Sequence, residues 1–277
     1  MRLVKQFLAV AAVAFIGGQG VNAVQGNPWL TLIVGLVTAV LAVVVYAWVV
    51  RRTEHRAVLE LSREGAVSGL GWGTLLGVAL FALVIVNLAF LGSYTVHGLG
   101  TVTGAVGLVG FMAAVAVGEE LMFRGVLFRI IEGWTGTWVA LTATSLLFGL
   151  AHLINPNASL WGALAIAVEA GGMLTAAYVA TRKLWVPIGL HLGWNIAGSA
   201  IFSTEVSGNN TPQGLLDAST SGPMLITGGE FGPEGSVYSI VFCVAAAAVF
   251  IRMAYRRGHM VPLRRSARSD AAATLPR

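Results

Sequence analysis

Residues 117–124, Val-Gly-Glu-Glu-Leu-Met-Phe-Arg, set two carboxylates side by side and a guanidinium four residues after the second. On a helix Glu120 and Arg124 share a face at ion-pair spacing, while Glu119 lies about 100° around the axis. The arginine can then neutralise one acid and leave the other free to move a proton, as a general base must. A buried ion pair locking two helices would account for Glu120 and Arg124 alone, but it has no use for a second acid. His152 ends the run Phe148-Gly-Leu-Ala-His152, just before a helix stop at Asn155-Pro156. His191 and Asn195 stand four apart in His-Leu-Gly-Trp-Asn and point the same way. Such a pair can bind a metal, polarise a carbonyl, or hydrogen-bond between helices.

The elements that carry these residues belong to a membrane. Of 277 residues, 56% are hydrophobic and 10% charged, with a mean hydropathy of +0.80. A water-facing globule carries about a quarter charged residues. Apolar runs long enough to span a bilayer occur near 6–24, 28–50, 70–92, 104–123, 138–154, 159–181, 184–203 and 236–253. The expected fold is therefore an all-α membrane protein of about eight transmembrane helices with a polar cavity inside the bundle. Lys and Arg fall at 2–5, 51–63, 124–129, 182–183 and from 252 onward, and loops 93–103, 154–158 and 204–235 contain none. That alternation places both termini in the cytoplasm, in the plasma membrane if the host is prokaryotic. The net charge of +5 is then topological. The basic end suits anionic lipid, and no nucleic acid is expected as a partner.

The chain divides into an N-terminal hairpin and cytoplasmic linker (1–66), a membrane-embedded core (67–255, with the motifs in 111–200), and a basic tail (256–277) expected to be disordered. Segment 204–235, rich in Gly, Ser, Thr, Asn and Pro, cannot build a core of its own and reads as an external loop or flap. The stretch ending at Val21-Asn22-Ala23 partly resembles a signal-peptide cleavage site; removal would leave the topology of the other helices unchanged. Cys243 stands alone, so no disulfide framework or cysteine metal site exists.

An ionisable side chain at the bilayer centre costs about 2.5–3.5 kcal/mol. Glu119, Glu120, Arg124, His152, Glu169 and His191 all fall inside expected spans. The turn Gly133–Thr137 is the midpoint between Glu119 and His152, so each sits roughly 25 Å from it at similar height. That requires the fourth helix to run on through Arg129. The next turn, Arg182-Lys183, pairs Glu169 with Asn195 in height. All these groups meet in one layer if the first turn protrudes further into the cytoplasm than the second. Glu169 is then a candidate cavity-lining residue, or an acid hydrogen-bonded to a neighbouring helix.

Glu-Glu-x-x-x-Arg (119–124), Phe-x-x-x-His (148–152) and His-x-x-x-Asn (191–195), in this order on successive membrane helices, resemble the signature of the CPBP family. This family includes the type II CAAX prenyl endopeptidases and bacteriocin-processing or immunity proteins. The resemblance implies an intramembrane endopeptidase, long labelled a metalloprotease. Glu119 and His152 would activate water, His191 and Asn195 would bind it or the oxyanion, Glu120 and Arg124 would support them, and Phe148 would stand at the substrate. A divalent metal such as Zn2+ held by His152 and His191 is one reading; a metal-free glutamate mechanism is the other. The expected partner is a membrane-associated peptide or protein, prenylated peptides included, cleaved near the cytoplasmic interface. A proton- or ion-coupled transporter and a non-proteolytic immunity or scaffold protein are the rival functions.

Overall fold

The computed structural model describes residues 1–263. Its helices are α1 (Arg2–Ala23), α2 (Pro28–Glu54), α3 (Ala66–Phe90), α4 (Val102–Thr135), α5 (Thr137–Ile154) and α6 (Leu160–Thr181). They are followed by α7, which runs from Trp185–Asn195 into Ile196–Ile201, and by α8 (Val237–Arg256). All but α7 are long and apolar enough to cross a bilayer, and α7 is the short eighth helix of the expected all-α membrane fold. One ladder departs from it: β1 (Tyr94–Leu99) pairs antiparallel with β2 (Leu216–Thr220). The two strands come from the Lys/Arg-free loops, so the ladder caps that end of the bundle.

Local chemistry sets the helix boundaries. Asn27 accepts from the backbone N–H groups of Trp29 and Leu30, with Pro28 in the first turn, the arrangement that satisfies otherwise orphaned donors. Ser159 and Ser236 do the same for α6 and α8. The α3–α7 contact is close because glycines face it. A methyl group on Gly193 would collide with the Thr74 carbonyl, and one on Gly77 with the Leu190 carbonyl. This approach of backbones fixes the height and rotation of the helix carrying His191.

Helix α4 is continuous for 34 residues, as the hairpin arithmetic required. Arg182, in the α6–α7 turn, donates to Glu132 Oε1 at 3.0 Å, nearly a helical turn short of Gly136. The first turn therefore protrudes beyond the second. Residues 257–263, expected to be disordered, are tied to this end: Thr137 N–H donates to Val261 O at 2.9 Å and Thr137 Oγ1 accepts from Val261 N–H at 2.8 Å. The remainder of the tail, 264–277, lies outside the described residues.

Three helices change pitch in mid-course. Leu121–Phe128 of α4, Ala167–Gly172 of α6 and Ile196–Ile201 of α7 are π-helical. Wider turns interrupt the usual ladder and occur often at functional sites. Here they follow Glu119-Glu120, contain Glu169, and follow His191–Asn195. Carbonyls in each accept from outside their own ladder. Gly125 O takes Arg129 Nε–H at 2.7 Å, Ala170 O takes an Arg124 guanidinium N–H at 2.8 Å, and Ala200 O takes Leu215 N–H at 2.8 Å.

The segment between α7 and α8 is not the loose flap that its composition suggested. Val206, Ser207, Thr227, Phe231 and Glu234 are buried. The carboxylate of Glu234 accepts from Trp194 Nε1–H at 2.8 Å, and from Ser207 N–H at 2.5 Å and its hydroxyl at 2.8 Å. Asn155 Nδ2–H donates to Ser207 O at 2.7 Å. The segment builds no core alone; it borrows one from α6 and α7.

Candidate active site

Arg124 is the centre of the polar cluster and is 1% exposed. Its Nη1–H donates to Glu120 Oε1 at 2.7 Å, its Nη2–H groups to Ala170 O and Gly171 O at 2.8 and 3.2 Å, and its Nε–H to Thr175 Oγ1 at 3.3 Å. The guanidinium carbon also lies 4.7 Å from the centroid of the Phe148 ring, within cation–π range. A buried charge needs this many partners.

Glu120 Oε1 is shared. His191 Nδ1 lies 2.9 Å from it, and since a carboxylate only accepts, Nδ1 carries the hydrogen. That leaves His191 Nε2 facing Glu119, 3.9 Å from its Oε2. Glu119 Oε2 has no hydrogen-bond partner among the described residues. The division expected from the helix spacing is thus present: one acid is neutralised by the arginine, and the other is free. His152 is oriented in the same manner, with Nδ1 2.7 Å from Phe148 O, so its Nε2 is the nitrogen left for chemistry.

A cavity of about 230 Å³ collects these groups; Glu119, His152, His191 and Asn195 all line it. The positions of Phe148 and Glu169 differ from those of the other candidates. Phe148 does not line the cavity: it is fully buried and packs edge-on to Phe123 at 4.9 Å and tilted against His152 at 4.7 Å. It is a floor for the imidazole and the guanidinium rather than a surface for substrate. Glu169 lines a second, smaller space of about 10 Å³ that shares His191, Asn195 and Ser207 with the first, about one water in size. Among the described residues neither of its carboxylate oxygens has a hydrogen-bond partner.

The cavity also lies further from the basic end than expected. Ile154, Asn155, Ser207 and Asn209, from the Lys/Arg-free loops, form part of its wall. Cleavage near the basic, cytoplasmic-type interface does not follow from this geometry, because the hairpins carry the motif residues past it.

Sequence reasoning missed Thr175, Trp194, Ser207 and Glu234. Glu234 gave the only available signal, an acid between Pro233 and Gly235 just ahead of a capped helix; burial against Trp194 could not be read from it. As for a metal, no group of three His, Cys, Asp or Glu side chains with ligand spacing occurs among the described residues. Catalytic zinc sites use three protein ligands at about 2.0–2.3 Å, and the residues present do not fit that requirement in this geometry.

Comparison with known proteins bears on the same residues. The family described as Type II CAAX prenyl endopeptidase Rce1-like matches residues 101–197, the stretch that supplies all three motifs. That stretch lies in the membrane core and is similar to this family over about a third of the chain. A Bacillus subtilis (strain 168) protein named "Putative membrane peptidase YdiL" is 27% identical over 150 residues, which cover 49% of this chain and 59% of that relative. The chain thus spans little more than half the length of the curated relative it matches. No solved structure matches the chain.

Proposed function

We propose that this protein is an intramembrane endopeptidase of the CPBP kind that hydrolyses a membrane-associated peptide or protein. The observation that carries the reading is the free Glu119 carboxylate facing His191 Nε2 in a cavity, beside a twin acid already neutralised by Arg124. In the proposed reaction a cavity water gives a proton to Glu119 while its oxygen adds to the scissile carbonyl carbon. The Asn195 amide donates to the oxygen that becomes negative, and His191 Nε2 does so when the imidazole carries hydrogen on both nitrogens. The Glu119 proton then passes, with His152 assisting, to the departing amine as the carbon–nitrogen bond breaks. Products are a carboxylate and an amine, so one water is consumed.

Glu120 and Arg124 position rather than react. They fix the His191 tautomer and hold a compensated charge under the cavity, where low polarity strengthens every donor aimed at the oxyanion. A prenylated peptide is one candidate among membrane-associated substrates.

The test is purification in detergent, with metal analysis and peptide cleavage by wild type and Glu119→Gln in parallel. Loss of cleavage in a folded variant supports the reading. Equal cleavage by both, or none by wild type against a panel of membrane-anchored peptides, overturns it in favour of a transporter or a non-proteolytic binding protein.

A further inference from the structure

The candidate site can be reached from one end of the bundle. Toward the basic end it is sealed by Glu120 and Arg124, which are 0 and 1% exposed. Beyond them, the fully buried Phe128 and Tyr46 continue the seal, with the Tyr46 hydroxyl 2.9 Å from Gly125 O and 2.7 Å from Glu60 Oε1. Toward the other end the wall is made by Asn155, Ser207 and Asn209, of which Asn209 is exposed.

That open end carries no Lys or Arg in loops 93–103, 154–158 and 204–235, whereas Arg51, Arg52, Arg56, Arg63, Arg182 and Lys183 crowd the sealed end. Short basic loops remain on the cytoplasmic side. The mouth therefore faces away from the cytoplasm.

A second cavity, of about 360 Å³, adjoins the first and shares Phe111 and Asn209 with it. Its walls include Gln19 and Asn22 from the last turns of α1, Gln25 from the α1–α2 turn and Asn210 from the loop opposite, with Leu108 and Pro28 also lining it and no charged side chain among its described residues. Carboxamides both donate and accept, which matches the alternating C=O and N–H groups of an extended peptide backbone. The absence of charge favours an uncharged segment.

We propose that substrate enters from the extracytoplasmic face, as an extended uncharged peptide segment next to a membrane anchor. It lies along this carboxamide groove, and the Phe111–Asn209 junction delivers its scissile bond to Glu119. The role as a substrate groove rests on the endopeptidase reading; the side of entry does not.

Two arms test them separately. Cysteine is introduced at Asn209→Cys, and for comparison at Leu59→Cys in the basic connection, in a Cys243→Ala background, and intact cells are treated with a membrane-impermeant maleimide. Labelling at 209 without permeabilisation, and at 59 only after it, is expected; the reverse pattern overturns the proposal. In the second arm, a single-span reporter carries the same uncharged ten-residue segment on its extracytoplasmic or its cytoplasmic side. Cleavage of the extracytoplasmic reporter alone is expected, with at least a tenfold loss of kcat/KM, borne by KM, in Asn22→Ala/Gln25→Ala. Cleavage of the cytoplasmic reporter alone overturns the entrance and keeps the endopeptidase. Extracytoplasmic labelling with neither reporter cleaved overturns the groove as a substrate site and counts against the endopeptidase. Unchanged kcat/KM in the double variant removes the groove alone.

Discussion

Glu120 Oε1 accepts from two cations of different kinds, Arg124 Nη1–H at 2.7 Å and His191 Nδ1–H at 2.9 Å when that imidazole is protonated. One oxygen thereby ties α4 to α7 and sets which His191 nitrogen meets Glu119.

Removing either end of the pair leaves a buried uncompensated charge. Glu120→Ala and Arg124→Ala should each destabilise the protein by about 3–5 kcal/mol. Arg124→Met combined with Glu120→Leu should recover part of that loss while remaining inactive. Thermal unfolding in detergent reads the first effect and a cleavage assay the second; single and double variants of equal stability would contradict the shared-charge account.

Glu119 behaves differently. Its nearest cationic partner is 3.9 Å away, so Glu119→Gln should change stability by less than about 0.5 kcal/mol. The same change should lower kcat about 10²–10⁴-fold, the range for loss of a general base. An unfolding midpoint that falls together with activity would make Glu119 a structural residue.

The α3–α7 contact gives a test remote from the chemistry. Gly193→Ala pushes a methyl group into the Thr74 carbonyl and should cost about 1–3 kcal/mol as α7 moves away. His191 sits on that helix, so kcat should fall as well. Gly172→Ala, with open space around the new methyl group, should leave both unchanged.

Stability should also depend on acid through Glu60, which lies between α2 and α3 and outside the spans. Burial alone would push its carboxyl up. Burial is the largest single influence, but hydrogen bonds from Arg56 at 2.7 and 2.9 Å, a backbone N–H, the Tyr46 hydroxyl and the nearby Arg129 charge together outweigh it and hold the carboxyl below the ordinary range. A lowered pKa contributes stability in full above the ordinary value of about 4.3, and loses it as pH falls from there through the lowered one. Unfolding midpoints taken from pH 7 downward should drop in that lower window, and Glu60→Gln should flatten the drop.

Much of this architecture was legible in the residues because a bilayer leaves few choices. Apolar runs long enough to span it must be helices, and the Glu119–His152 midpoint located a turn that the chain does make at Gly136. The Glu120–Arg124 contact followed from spacing alone. What stayed hidden depends on pitch and on distant partners. Phe148 sits one turn before His152, and its spacing gave no sign that Arg124 would cover its ring. Glu234 belongs to a polar loop by composition, and its burial depends on Trp194, 40 residues earlier. The β1–β2 ladder likewise joins strands more than a hundred residues apart, neither with an apolar alternation of its own.

The π-helical turns have a mechanical consequence. Each releases a carbonyl that another part of the chain then takes: Arg124 binds α4 to α6, and Tyr46 with Arg129 meets α2 and α4 at Gly125. Helices joined by such pins cannot slide along one another as smooth cylinders can. The core around Glu119 is a welded frame, and in the proposed reaction the room for a polypeptide is made where 155–159 meets 202–236, at the Asn155–Ser207 contact.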